Sequence, residues 1–340
     1  MQGLPLLVRR RGRRVRALPT EKPAARPQVH HLRAPPLRRA GSPPPVQGGG
    51  PLTLTVRPLA RDDVPFTLAL TAAEGWTFEA PELNRILDHG GGHLVERDGA
   101  PLGVLTWLRY GPLAWIGNVA VSSTARGQGV GEALLRGTLT DLQARGVRTV
   151  GLYSVPKAVT LYRRLGFVEE GAPVEAWGID LAEHDPAPPP RGVRLARPED
   201  TAALAPLDLP RFGFDRTALL QRLFEDYPRT SFVLEREGQP RGFIVAKPSA
   251  TGTEIGPGVL ADPEDEEGAG ALLDAALAAL TAEGVTGADL ALRGENRMGR
   301  ALLKTRGFTE RFTTFPMFHG APGHRGAPAS ILAIGGLEKG

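Results

Sequence analysis

Trp115-Ile116-Gly117-Asn118-Val119-Ala120-Val121 is an apolar run of strand length, and four residues after it comes Arg126-Gly127-Gln128-Gly129-Val130-Gly131. The second stretch opens a segment, Gly129–Arg145, whose apolar residues recur at the helical period. A glycine-rich loop between a strand and a helix leaves main-chain N–H groups open to a ligand. The N-terminus of the helix adds positive potential, which together suits a pyrophosphate. Arg126 can add a charge-assisted contact. No Lys-Ser/Thr pair follows, so the loop is not a nucleoside-triphosphate P-loop. The strand it follows is late in its unit, which makes it a poor dinucleotide fingerprint.

Downstream lies Leu161-Tyr162-Arg163-Arg164-Leu165-Gly166-Phe167. With this second element, the chain resembles the GNAT superfamily of acyl-CoA N-acyltransferases over about residues 52–180. Arg126–Gly131 fits its Gln/Arg-x-x-Gly-x-Gly/Ala acetyl-CoA loop, and Leu161-Tyr162 with Gly166-Phe167 fits its later helix and strand. The resemblance implies acetyl-CoA as cosubstrate, bound at its pyrophosphate by the amides of Gln128, Gly129, Val130 and Gly131 in a loop shaped by Arg126 and Gly127. It implies that the strand residues Val119, Ala120 and Val121 flank the pantetheine arm, with Val119 and Val121 pairing to it through their backbone. It also places Tyr162 near the thioester sulfur.

The chemistry is compatible with these roles. An alkylamine of pKa about 10 is mostly ammonium at pH 7, so something must take its proton before it attacks the thioester. The oxyanion needs a donor, for which the Val119 amide is available. The leaving thiolate needs a proton, for which the Tyr162 phenol is the candidate. Many relatives carry a carboxylate on the strand before the loop, where this chain has Asn118. Asn118 is the polar catalytic candidate of that strand, and Glu74, His93, Glu96 or a water chain are the alternatives for the base. Trp76, Phe78, Trp107 and Tyr110 could line an acceptor pocket or belong to the core.

Outward from the loop, alternation and turn signals predict strands at Leu52–Arg57, His93–Arg97, Leu102–Leu108, Leu113–Val121, Val147–Tyr153, Phe167–Val168 and Val174–Ile179. Helices are predicted over Asp62–Ala73 with Asp62 as N-cap, after Ala80, over Gly129–Arg145 and over Lys157–Leu165. The order β-α-α-β-β-β-α-β-α-β-β implies an α/β (α+β) fold: a mixed, mostly antiparallel sheet flanked by helices.

That unit recurs. Glu96-Arg97-Asp98-Gly99-Ala100-Pro101-Leu102-Gly103 returns as Glu235-Arg236-Glu237-Gly238-Gln239-Pro240-Arg241-Gly242, and Gly129 and Gly131 answer Gly268 and Gly270 at the same offset. In the second copy the loop reads Asp265-Glu266-Glu267-Gly268-Ala269-Gly270. Asp265 stands for Arg126, Pro257 for Asn118 and Leu303 for Tyr162. Carboxylates beside a pyrophosphate are repulsive, so the second copy reads as a degenerate GNAT-like domain with a structural or substrate-binding role. The two halves are expected to pack together, with a shared sheet left open. The expected organisation is a tail over 1–50, a catalytic domain over 51–183, a proline-rich linker over 184–190 and the degenerate domain over 191–340.

The chain has 340 residues, 41% hydrophobic and 23% charged, a composition ordinary for a globular protein. It has no cysteine, which excludes disulfides, thiolate metal sites and cysteine nucleophiles. No apolar run approaches the roughly 20 residues of a spanning helix, so no membrane association is expected. Histidines are scattered without ligand spacing, and no metal is expected. The net charge of +4 is uneven: eleven of the basic residues and one acid fall in 1–50, giving +10 there and −6 elsewhere. Residues 1–50 also hold nine prolines and no aromatic residue, a composition that reads as a disordered arm. Nucleic acid is therefore not expected as a partner of the body. The expectation is an acetyl-CoA-dependent N-acetyltransferase acting on a primary amine of a small molecule or protein by direct transfer, cytoplasmic, with a homodimer left open. The alternative is a non-catalytic acyl-CoA sensor or scaffold.

Overall fold

The computed structural model describes residues 53–76, 78–182, 191–250, 252–321 and 326–340. The basic arm 1–50 and the linker 184–190 of the sequence reading lie outside the described residues. The first copy runs β1 (Leu54–Pro58), α1 (Val64–Ala73), α2 (Ala80–His89), β2 (Gly90–Arg97), β3 (Ala100–Tyr110), β4 (Leu113–Val121), α3 (Val130–Ala144), β5 (Thr149–Ser154), α4 (Val159–Arg164), β6 (Val168–Glu169) and β7 (Val174–Asp180). The second runs β8 (Val193–Leu195), α5 (Thr201–Phe212), α6 (Thr217–Asp226), β9 (Ser231–Arg236), β10 (Gln239–Lys247), β11 (Glu254–Leu260), α7 (Glu266–Ala282), β12 (Gly287–Arg293), α8 (Arg297–Thr305), β13 (Thr309–Gly320) and β14 (Ile331–Ala333). The expected element order of the first copy is present throughout.

The duplication is visible in side-chain chemistry as well as order. Arg57 binds Asp63 at 2.7 and 2.9 Å and Glu96 at 3.0 Å. Arg194 binds Asp200 at 2.8 and 2.9 Å and Glu235 at 2.8 Å. Each clamp ties the first strand of its copy to the turn before the first helix and to the second strand beside it. The expected Asp62 cap is one residue out of place. Asp63 is the acid that receives the turn, accepting the Ala60 N–H at 2.8 Å while it holds Arg57.

Among the described residues the strands form one sheet of fourteen, in the order β1-β2-β3-β4-β5-β13-β7-β12-β11-β10-β9-β8, with β14 on β11 and β6 on β13. The halves thus share a sheet, and they do so by exchanging their last long strands. β7 of the first copy pairs with β12 from Val174↔Arg293 to Asp180↔Gly287. β13 of the second copy pairs with β7 through Thr309–Thr314 and with β5 through Phe315–Gly320. A run such as Val174–Asp180, mostly buried, fits a central strand covered on both faces.

Apolar packing joins the halves too. Ile86, Leu108 and Trp115 of the first copy share one cluster with Leu220, Phe224 and Phe243 of the second. Arg300 grips Glu175 across the exchanged strands at 2.7 and 3.0 Å. Arg85 of α2 reaches Asp226 of α6 at 2.7 Å.

Candidate active site

The site begins where two parallel strands part. β4 and β5 pair only over Leu113–Trp115 and Thr149–Gly151. On its other side β4 carries a bulge against β3. Val104 faces Ala120 and Thr106 faces Gly117, so Asn118 and Val119 together stand opposite the one residue Leu105. Such an insertion bends its strand and re-aims its groups. Asn118 takes the left-handed backbone conformation, φ 54°, which asparagine tolerates better than most residues. Its Nδ2 donates to Thr106 Oγ1 at 2.9 Å, which fixes the bulge.

The wedge between β4 and β5 opens into a cavity of about 1090 Å³. Ile116–Val121 form one wall, with Leu152, Tyr153, Leu161 and Tyr162 across from it. Gly131 and Arg126 lie at the loop end of the cavity, and Glu82, Lys247, Glu254 and Glu338 at the other. Residues of both copies therefore line one space.

At the loop end, Gly127 and Gly129 have φ of 74° and 76°, and nothing lies within 4 Å of where a side chain would project. This is the local reason for both glycines: the turn needs a conformation that residues with a Cβ avoid. Val130 is buried in the core and pins the start of α3. The first amides of α3 have no preceding turn to bond. Gln128 is committed locally, its Nε2 donating to the Thr124 carbonyl at 2.9 Å and its Oε1 accepting from Arg97 at 3.0 Å. Arg126 donates to the Val121 carbonyl at 3.1 Å and pairs with Glu74. The structure thus gathers Asn118, Val119, Ala120, Val121, Arg126, Gly131 and Tyr162 around the cavity, while Gly127, Gln128, Gly129 and Val130 form the loop beside it.

Tyr162, on α4, packs edge-on to Phe167 with ring centroids 5.7 Å apart. Its hydroxyl has no hydrogen-bond partner among the described residues, and burial pushes its pKa above the ordinary phenol range.

Several alternatives from the sequence fall elsewhere. His93 is buried between β2 and α3, 3.1 Å from Thr138 Oγ1 and 3.2 Å from Asp141, and it does not line the cavity. Glu96 belongs to the Arg57 clamp. Glu74 does line the cavity, but as the partner of Arg126. Trp76 and Phe78 line it, whereas Trp107 is core with Arg145 over its ring, and the Tyr110 hydroxyl donates to the Lys339 carbonyl at 2.7 Å.

The charged group at the far end is absent from the sequence reading. Glu82 of α2, Glu254 of β11 and Glu338 bring carboxylate oxygens within 4.8 Å of one another. Lys339 Nζ pairs with Glu82 at 2.8 Å, with Glu254 at 3.7 Å and with Glu338. Lys247 Nζ donates to Glu254 at 2.5 Å and to the Gly335 carbonyl at 2.6 Å. Burial lowers the Lys247 ammonium to a pKa of about 8, against the pull of Glu254. Three carboxylates face two ammonium groups here, with the Arg85 guanidinium nearby. Nothing in Glu338-Lys339, near the end of a glycine-rich segment, signals this placement in the sequence.

The second copy repeats the wedge and fills it. β11 and β12 pair only at Glu254–Ile255 with Asp289–Leu290. A bulge again follows, with Gly256 and Pro257 opposite Val245. Into the gap runs β14: Ala333 and Ile331 pair with Gly258 and Val259, and Ile334 N–H donates to Ala291 of β12 at 2.9 Å. At the helix start, Asp265 turns its own carboxylate onto the Gly268 N–H at 2.8 Å.

Comparison with known proteins agrees with this architecture. The model of the Acetyltransferase (GNAT) family matches residues 59–167, and an Acetyltransferase (GNAT) domain model matches 204–332. The chain belongs to the GNAT acetyltransferases as a tandem pair of such domains. A GCN5-related N-acetyltransferase 1, chloroplastic, of Arabidopsis thaliana is 37% identical over 57 residues, 17% of this chain. The chain matches less than a third of the length of such curated relatives, 29% and 28%. Among solved structures, a candidate acetyltransferase from Pyrococcus horikoshii aligns with TM-score 0.69 at 20% identity, over 84% of this chain and 96% of that one. A tandem GNAT protein from the clavulanic acid biosynthesis pathway aligns with TM-score 0.58 at 19% identity, over 79% and 99%. These likenesses are of fold. No helix among the described residues is long and apolar enough to cross a membrane.

Proposed function

We propose that the first copy is an acetyl-CoA-dependent N-acetyltransferase that passes the acetyl group directly to a primary amine of a small molecule or protein. One observation carries the reading: the wedge between β4 and β5, bearing the Asn118–Val119 bulge, is continuous with an unobstructed glycine loop at one end and a charged chamber at the other. The pyrophosphate lies on the amides of Gln128–Gly131, and the pantetheine arm pairs with Val119 and Val121 along the free side of β4. The Val119 amide donates to the thioester oxygen as it gains charge. The amine attacks the carbonyl carbon, the C–N bond forms, and the C–S bond then breaks. Tyr162, kept protonated by its burial, gives a proton to the departing thiolate.

The test is CoA release on mixing the full chain with acetyl-CoA and a panel of aliphatic amines, amino acids, aminoglycosides and peptides. Release with at least one amine class is expected. Binding of acetyl-CoA without release on any amine would establish the sensor reading instead.

A further inference from the structure

β4 offers no acid beside its bulge, and the side chains first considered as bases are committed elsewhere. We infer that Glu338, delivered by the C-terminal segment of the second copy, takes the proton from the acceptor amine in the cavity of the first; this rests on the transferase reading above.

Three observations converge. Glu338 packs on β4 itself: a side chain at Gly117 would fall 2.2 Å from Glu338 Cβ, so only glycine there admits it. Gly117 immediately precedes Asn118, which places Glu338 next to the bulge. Second, Glu338 is nine-tenths buried and lines the cavity. Third, the three carboxylates are not equivalent. Glu82 Oε1 accepts a hydrogen bond from Lys339 at 2.8 Å, and Glu254 Oε2 accepts one from Lys247 at 2.5 Å. Glu338 Oε1 is buried in contact with the Lys339 ammonium, which leaves Oε2 as the oxygen that can take a proton. Of the three carboxylates it is the one packed on β4 beside the bulge.

The step balances. The ammonium gives one proton to Glu338, and the free amine attacks the thioester. The second N–H proton of the tetrahedral species ends on the thiolate by way of Tyr162, and Glu338 returns its proton to water. The products are the amide, CoA thiol and one proton.

Segment 331–340 then has two tasks. β14 fills the wedge of its own copy, and the residues after it complete the chamber of the other. The Trp115 Nε1–H donates to the Leu337 carbonyl at 3.2 Å and the Tyr110 hydroxyl to the Lys339 carbonyl, so the first copy grips the segment on both sides of Glu338.

The test is Glu338→Gln in the full chain, read by the pH profile of kcat and kcat/KM alongside acetyl-CoA affinity. The groups facing Glu338 are Lys339 on its own segment, Glu82 and Arg85 on α2, and Lys247 and Glu254 of the second copy. A parallel Glu82→Gln variant therefore separates a general loss of charge from loss of the acceptor. Glu338→Gln is expected to lower kcat by about 100-fold or more. Its remaining rate should climb with pH as free amine becomes available, and acetyl-CoA affinity should stay unchanged. Glu82→Gln should keep the acid limb of the profile. Should Glu338→Gln not fold, Glu338→Asp decides: a shortened but chemically competent carboxylate should lower kcat by about 10- to 100-fold and keep the limb. Wild-type transfer with an unaltered rate and profile in the Glu338 variants overturns this inference alone. Wild-type protein that binds acetyl-CoA and acetylates no amine overturns the transferase reading and this inference with it.

Discussion

The same wedge is built twice in this chain and used in two ways. Between β4 and β5 it is a cavity with an open glycine loop at its mouth. Between β11 and β12 it holds β14, and the helix beyond it is capped by its own Asp265. In the second copy the protein supplies from its own sequence both an extended strand for the gap and a carboxylate for the helix N-terminus. Those are the two features that an acyl-CoA would bring as pantetheine and pyrophosphate. A fold that leaves a gap in its sheet must fill it with something, since unpaired buried amides and carbonyls are costly. A ligand fills it in one copy under the proposed reading, and the chain itself fills it in the other. The filled wedge of the second copy also anchors the segment that reaches the first cavity.

The largest effect that would sharpen the contrast is at Tyr162, whose counterpart is Leu303. Tyr162→Phe should lower kcat by about 100- to 10,000-fold with acetyl-CoA affinity intact. Steady-state turnover beside equilibrium binding checks this, and full turnover would remove the acid role. Next is the filled wedge. Ile331→Asp puts a charge where β14 is buried and should cost roughly 3–4 kcal/mol, lowering the melting temperature by roughly 5–10 °C. An unchanged melting curve would mean that the wedge is not sealed by β14. Smallest is a titration present in one copy only. His93 corresponds to Phe232 at the repeat offset, and its burial holds its pKa below the ordinary histidine value. Such a group contributes stability that is complete above about pH 6.5 and is lost as pH falls through the lower folded value. Denaturant unfolding between pH 5 and 7 should therefore show stability rising with pH, with a shallower slope in His93→Phe.

Much of this was legible from the sequence. The loop at Arg126–Gly131, the strand before it and the helix bearing Tyr162 are set by local chemistry: glycines that permit positive φ, an apolar run and a helical period. The duplication was legible because its octapeptide encodes a tight turn, with Asp98-Gly99 and Glu237-Gly238 both at positive φ. The strand exchange was not. Val174–Asp180 has the same apolar pattern whichever strands flank it, because periodicity records burial and not the identity of a neighbour. Asp62 and Asp63 are adjacent acids, and only the reach of Arg57 selects the second. Ile331–Ile334 reads as a short strand, but its place in the wedge depends on pairing with β11 some seventy residues earlier. Glu338 and Lys339 look like solvated terminal charges until the fold buries them beside Gly117.

Isothermal titration of the full chain with acetyl-CoA tests the central claim most directly. The account predicts one site per chain, with affinity strongly reduced in Arg126→Asp, which imports the residue of the second loop, and retained in Asp265→Ala. Two sites of similar affinity, or one site that survives Arg126→Asp and vanishes in Asp265→Ala, would contradict it.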